Sequence, residues 1–274
     1  MKKILRIIVS SEHELPFLTL NGLESHNKVD EIILCEANFT HSGEKRTLIF
    51  GDLIGKLPPE IETRIRYLPI NLDRFNRKDV QDTDDLHFNE QLIRNSFTNY
   101  CNLTRNDVVI ALDADEIIYS SQYNYIFKKL MRSVKSRCIR LKLRQFFYRL
   151  NYYWTDCNFN SPVASRASVF LGNNNAQWRD YGPVTEKYVG VHFSWVMGVD
   201  QMIRKLKTYA HTDLYGDFAE EEILKRAIEE KKYIFDESLA FTIRTLDYDS
   251  PLLPDSIDQV FTREHPWFDW RESD

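Results

Sequence analysis

The chain has 274 residues, 43% hydrophobic and 28% charged, so it can bury a substantial core and lacks the composition of a disordered protein. Its net charge of −5 offers no global attraction to a polyphosphate backbone, which argues against nucleic-acid binding. Cys35, Cys101, Cys138 and Cys157 are widely spaced without a CxxC pair, and the apolar run near the start is short and broken by Arg6. Neither a zinc site, a disulfide framework nor a membrane anchor is expected, and the expected location is the cytoplasm.

In chain order, the β-branched runs Ile4 to Ser10 and Val29 to Ala37 read as strands separated by a helix from Glu14 to Ser25, a βαβ opening. A third strand is expected over Ile65 to Ile70, after Pro58-Pro59. An amphipathic stretch from Asp84 to Cys101 carries Leu86, Leu92, Ile93, Phe97 and Tyr100 at helical spacing. The next strand, Asp107 to Leu112, is nearly all apolar, as a central strand covered on both faces must be. Alternation at Ile139, Leu141 and Leu143, then the runs Val163 to Phe170 and Tyr188 to Trp195, predict strands that finish a mixed sheet. Helices are expected over Asp200 to His211 and Glu220 to Tyr233. There is no internal repeat or linker, so the pattern predicts one α/β domain with a mixed, mostly parallel central sheet and ligands at the carboxyl ends of its strands.

The acidic string Asp113-Ala114-Asp115-Glu116 falls at such an end. Two carboxylates two residues apart after a buried strand place hard oxygen ligands where Mg²⁺ or Mn²⁺ can bridge to a diphosphate. The metal would stabilise the charge that grows on a diphosphate leaving group, as cleavage of a nucleotide-sugar requires. The competing readings are a solvated acidic turn, a phosphatase of the haloacid dehalogenase type and a sugar-binding module with a degenerate site. The phosphatase string DxDx[TV] belongs near the first strand, whereas here the string follows the fourth and continues Glu116-Ile117-Ile118 without the threonine.

Several segments together resemble glycosyltransferase family 17, the family of the bisecting β-1,4-N-acetylglucosaminyltransferases: Glu14-Leu15, Val29 to Phe39, Asp107 to Ile118 and Val191 to His211. The most specific is His192-Phe193-Ser194-Trp195 followed by a helix with Lys205-Leu206, although Val191 stands where the family usually has tryptophan. The resemblance implies a GT-A-like nucleotide-sugar-binding fold whose residues 1–118 form the nucleotide-sugar half and 119–274 the acceptor half. It implies an inverting transfer that uses Mn²⁺ or Mg²⁺ and passes a sugar from a UDP-sugar to a carbohydrate hydroxyl. N-acetylglucosamine is the first donor sugar expected; xylose, glucose and galactose use the same diphosphate chemistry.

On this reading Asp115 is a direct metal ligand, and Asp113 meets the ribose or the metal, while Glu116 either orients them or pairs with a basic residue. His192 and His211 compete as the nitrogen ligand to the metal. Asp200 is expected as either an N-cap or the general base, with Glu186 the second candidate base. Glu36 and Asn38, after the second strand, are expected at the nucleotide crevice, and Arg94 at the diphosphate or a surface acid. Trp154, Trp178 and Trp195 are either sugar platforms or core, and Arg166 and Lys205 either neutralise phosphate or stay in solvent.

Overall fold

The computed structural model describes residues 1–71, 83–132, 137–172, 176–208, 216–236 and 238–269. Four aliphatic runs become the parallel strands β1 (Lys3–Val9), β2 (Glu31–Ala37), β3 (Ile65–Ile70) and β4 (Val108–Asp113), arranged β3-β2-β1-β4. Alternation divides their side chains between two cores. Leu5, Ile7, Leu34, Ile110 and Leu112 enter one cluster, and Ile4, Ile33, Cys35, Val109 and Ala111 enter the other. Burial on both faces is why β1, β2 and β4 read as mostly apolar runs, whereas β3, at the sheet edge, alternates and exposes Arg66 and Pro69. The sheet is completed by β9 (Val163–Arg166), antiparallel to β4, and β6 (Cys138–Arg140), antiparallel to β9. Strands from beyond residue 118 therefore close the first sheet, and the two halves expected from the sequence interlock.

A second sheet runs β11-β8-β7-β10-β5, built from β5 (Glu116–Ile118), β7 (Leu143–Phe147), β8 (Tyr152–Phe159), β10 (Gly190–Ser194) and β11 (Ile243–Thr245). Of its pairings only β7 with β10 is parallel. The single mixed sheet expected is thus two: a mostly parallel one, and a largely antiparallel one entered directly from β4. Gly190 makes the β10 to β5 approach possible, because a Cβ there would run into the backbone carbonyl of Ile117.

The helices that matter to the site are α1 (Leu15–Glu24), α2 (Thr83–Asn95), α3 (Tyr123–Arg132), α4 (Val199–Thr208) and α5 (Glu221–Glu229). Three expectations are corrected. The amphipathic stretch predicted to Cys101 is α2 ending at Asn95 and a separate helical turn, Phe97–Tyr100. The run to Phe170 leaves strand geometry after Arg166 and finishes as the turn Ala167–Phe170. Asp200 is not an N-cap: α4 begins one residue earlier, and the Gln201 side-chain oxygen accepts the Gly198 amide at 3.0 Å. The predicted end of that helix, including His211, lies outside the described residues. Among the described residues no helix is long and apolar enough to cross a membrane.

Candidate active site

The site begins where the chain passes from one sheet to the other. Asp113 is the last residue of β4 and Glu116 the first of β5, so the expected acidic string is the whole of the crossing. Backbone bonds fix it. The Ala114 amide donates to the Ile8 carbonyl at 3.1 Å, the Phe193 amide donates to the Asp115 carbonyl at 2.9 Å, and the Asn21 side-chain amide on α1 donates to the Ala114 carbonyl at 2.9 Å. The Glu116 carboxylate accepts the Asp113 amide at 2.7 Å.

Arginines from two elements neutralise this turn. Arg94 of α2 grips Asp113 with both terminal nitrogens, at 2.5 and 2.7 Å, the bidentate geometry that suits guanidinium and carboxylate. Arg179 reaches Asp113 at 3.4 Å and Glu116 at 3.0 Å. Glu90, one turn before Arg94, accepts its Nε at 3.0 Å. Beneath them Arg6 is buried with its guanidinium 5.5 Å from the ring centroids of Phe97 and Trp178, donating to the Leu112 carbonyl at 3.1 Å. Burial alone would raise the Asp113 pKa, but Arg94 and Arg179 overcome it and hold the carboxyl well below the usual range. Glu116 goes the other way, raised by burial and then by the charge of Asp113.

Asp115 stands apart from the arginines and faces β10. Its Oδ2 lies 3.6 Å from His192 Nε2, while His192 Nδ1 lies 2.9 Å from the Gln145 side-chain oxygen and the ring packs 3.9 Å from that of Phe159. In the tautomer with hydrogen on Nδ1, Gln145 accepts that hydrogen and the Nε2 lone pair faces Asp115, the arrangement that orients a metal-ligating histidine. Burial raises the Asp115 pKa, but His192 and Lys205 reverse the shift and keep it ionised. A carboxylate oxygen and an imidazole nitrogen this close fit a divalent cation of the Mn²⁺ type. Among the described residues no group of three or more His, Cys, Asp or Glu side chains is placed to hold a metal, so this pair would share the ion with water and substrate oxygens.

A cleft of about 600 Å³ opens at the carboxyl ends of β1 and β2, with Ser10, Ser11 and His13 on its floor, Thr40 to Thr47 on one wall and Arg204, Lys205 and Thr208 of α4 on the other. Arg46 ties the floor to the wall, donating from Nε to the Ala37 carbonyl at 2.6 Å, from one terminal nitrogen to the Val9 carbonyl at 3.1 Å and from the other to that of Ser10. His13 Nδ1 meets the Ser11 hydroxyl at 2.8 Å, and burial, then Lys205, pushes its pKa down to about 4, so it is neutral at physiological pH.

The structure thus brings Asp113, Asp115, His192 and Arg94 together. The others lie elsewhere. Glu36 is buried and fully engaged, accepting the Ile49 and Phe50 amides at 3.0 Å and the Tyr67 hydroxyl at 2.7 Å, so it anchors the cleft wall from behind. Asn38 donates to the Asn71 side chain at 3.1 Å. Glu186 is 81% exposed and paired with Lys129 at 2.7 Å, six residues before His192 at the far end of β10. Asp200 is exposed, one helical turn before Arg204. Trp178 is wholly buried, Trp154 packs among Phe147, Tyr233 and Phe241, and Trp195 lies under Lys205 with its centroid 4.9 Å from Nζ. Sequence reasoning passed over Arg179, Glu90, Gln145, His13 and Arg46. Only His13 had a usable signal, its place directly after the first strand.

The charge network makes a pH prediction. Burial would raise Glu90, yet Arg94, His41 and Arg179 lower it to about 2 from an ordinary 4.5. A depressed carboxyl contributes stability above its unfolded pKa and loses it as pH falls toward the folded value. Thermal midpoints are therefore expected to fall between pH 4.5 and 2, and Glu90→Gln to flatten part of that fall; an unchanged slope in the variant removes Glu90 from the network's energetics.

A family model for Glycosyltransferase family 17 matches residues 1–245. The chain is 32% identical over 250 residues to the beta-1,4-mannosyl-glycoprotein 4-beta-N-acetylglucosaminyltransferase of Mus musculus, covering 79% of this chain and 45% of that protein. It is 33% identical over 112 residues to the Homo sapiens protein of the same name, covering 40% and 21%. The chain spans less than half the length of these curated relatives. Among solved structures, the galactosyltransferase LgtC in complex with donor and acceptor sugar analogs superposes with a TM-score of 0.36 and 11% identity, covering 79% of this chain and 82% of that one, too loose a likeness to bear on the site. With the family match running over residues 1–245, the chain belongs to glycosyltransferase family 17.

Proposed function

We propose that the protein is an inverting, metal-dependent transferase that moves a sugar, N-acetylglucosamine first among the candidates, from a UDP-sugar to a carbohydrate hydroxyl. The observation that carries the reading is the Asp115 and His192 pair beside a cleft whose α4 wall presents Arg204 and Lys205. Asp115 and His192 would hold a Mn²⁺ or Mg²⁺ ion, which when bound supplies positive charge against the leaving diphosphate. Arg204 and Lys205 face the same diphosphate from α4. Gln145 orients His192, and the Arg94 grip keeps Asp113 ionised and aimed, so that its place toward the ribose is set before substrate arrives. Inversion requires one direct displacement with a base on the acceptor hydroxyl. Asp200, exposed and next to the cleft-lining Gln201 at the start of α4, is the proposed base, whereas Glu186 pairs with Lys129 on α3. A sugar-binding module without turnover is separated from this reading by metal-dependent hydrolysis of the donor.

Asp115→Asn keeps the shape but loses the charge, so calorimetry with UDP and Mn²⁺ is expected to show affinity reduced on the order of tenfold or more. Wild-type affinity in that variant rejects the metal assignment. The product linkage is expected to have the anomeric configuration opposite to the donor's, and retention seen by NMR rejects the single displacement. Asp200→Asn is expected to cut turnover on the order of a hundredfold while UDP still binds. If turnover survives there and is lost in Glu186→Gln, the base is Glu186.

A further inference from the structure

A second concavity, of about 690 Å³, lies on α3 and is lined by Tyr125, Lys128, Lys129, Arg132, Ile139 and Pro183. It shares no lining residue with the cleft. It also lies toward the other end of the first sheet: Lys3, which starts β1, places its Nζ 4.9 Å from the ring of Phe127 on α3, whereas the acidic turn follows the last residue of β4.

The charge here runs against the rest of the molecule. The chain carries a net −5, yet cations from α3 and from the stretch before β10 meet at the ring of Tyr125. Lys187, just before β10, lies 4.3 Å from the centroid of Tyr125, and Lys129 lies 5.9 Å from the same ring. Lys142 and Arg144, each 4.5 Å from the ring of Tyr188, the residue after Lys187, do not line the concavity. A helix C-terminus favours cations, which accounts for Lys129 and Arg132 in the last turn of α3 but not for Lys187. Gathering like charges from different elements costs stability unless a counter-charge is present. The counter-charge in the concavity is Glu186, which accepts from Lys129 at 2.7 Å and from the Tyr125 hydroxyl at 3.3 Å while remaining 81% exposed. An exposed pair of that kind is weak and readily exchanged for a ligand anion.

We propose that this concavity is a second anion site, which takes a phosphate or diphosphate group against Lys128, Lys129 and Arg132 and displaces Glu186. Buried Ile139 and exposed Pro183 give the concavity an apolar side beside its cations, and the phosphate is one carried by a lipid or by a soluble compound. The site stands apart from the donor cleft and holds whether or not the transfer reading does.

The test uses the full chain without divalent metal, because pyrophosphate chelates Mn²⁺, and the Lys128 and Arg132 variants tell binding in the concavity from binding in the cleft. Inorganic pyrophosphate is titrated by calorimetry, and in parallel the protein is sedimented with vesicles of phosphatidylcholine alone or mixed with phosphatidylglycerol. Binding to either pyrophosphate or the anionic vesicles is expected, and which arm responds tells a soluble phosphate from a lipid headgroup. Lys128→Gln and Arg132→Gln, both at exposed positions, are each expected to weaken that binding about fivefold, and Lys128→Glu with Arg132→Glu together about 25-fold or more. Glu186→Gln is expected to tighten it. No binding in either arm, or variants at Lys128 and Arg132 that bind as wild type, overturns the proposal. The two single variants keep the comparison valid if the double reversal fails to fold.

Discussion

The structure depends on placing two carboxylates inside the protein where one sheet hands the chain to the other. Asp113 is 27% exposed and Glu116 1%, and burying charge to that degree without compensation is costly. Arg94 and Arg179 supply the compensation from segments far apart in sequence, and Arg6 adds positive charge from below. Each arginine is therefore also a tether: the grip on Asp113 docks α2 against β4, and Arg179 docks the turn before Gly182 against both sheets. The acidic turn is rigid because its neutralisation is spread over these elements, and a rigid turn is what a ligand site needs.

That constraint divides the labour of the acidic string. Asp113 is committed to its arginines and Glu116 to Arg179 and the Asp113 amide, while Asp115, with its backbone carbonyl tied to Phe193, turns its carboxylate to the opposite side. There the second sheet brings His192, whose own orientation is set by Gln145 on the neighbouring strand in direct register. The two-residue spacing of the aspartates thus does not make two equivalent ligands. One acid faces the arginines and the other His192, and the turn at Ala114-Asp115 separates them by breaking the strand alternation that would otherwise put residues two apart on one face.

Strands β1, β2 and β4 were legible because burial on both faces leaves a nearly continuous aliphatic signature, and β3, which alternates at the sheet edge, was read to its ends after the Pro58-Pro59 breaker. The helix α3 and the strand β8 were not read at all: α3 mixes its Lys128 and Lys129 with Ile126, Phe127 and Leu130, and β8 carries exposed Thr155 and Asp156 in an aromatic run. At the site, Asp113, Asp115 and His192 were legible because a string at a strand end and a family-like motif marked them. Arg179 was not, since a lone arginine in an irregular segment gains its meaning only from a contact 66 positions away. Glu36 was misjudged for a related reason. Topology rightly put it at the carboxyl edge of β2, but strand alternation turned it inward, where two amides and Tyr67 hold both its oxygens.

The same inward turn explains how the cleft keeps its shape. The loop from Phe39 to Thr47 has little regular structure, and loops of that length are ordinarily the most mobile part of a domain. Here it is held at both ends by side chains: Glu36 fixes the amides at its exit, and Arg46 threads back to the carbonyls of Val9, Ser10 and Ala37. A third contact, the Ser42 amide donating to the Thr208 carbonyl at 3.4 Å, closes the loop on the end of α4. The wall opposite the acidic turn is therefore pinned to β1, β2 and α4 at once. Any displacement of α4 would move Lys205 and the loop together, so the charge that reaches Asp115 and the width of the cleft are set by one mechanical unit.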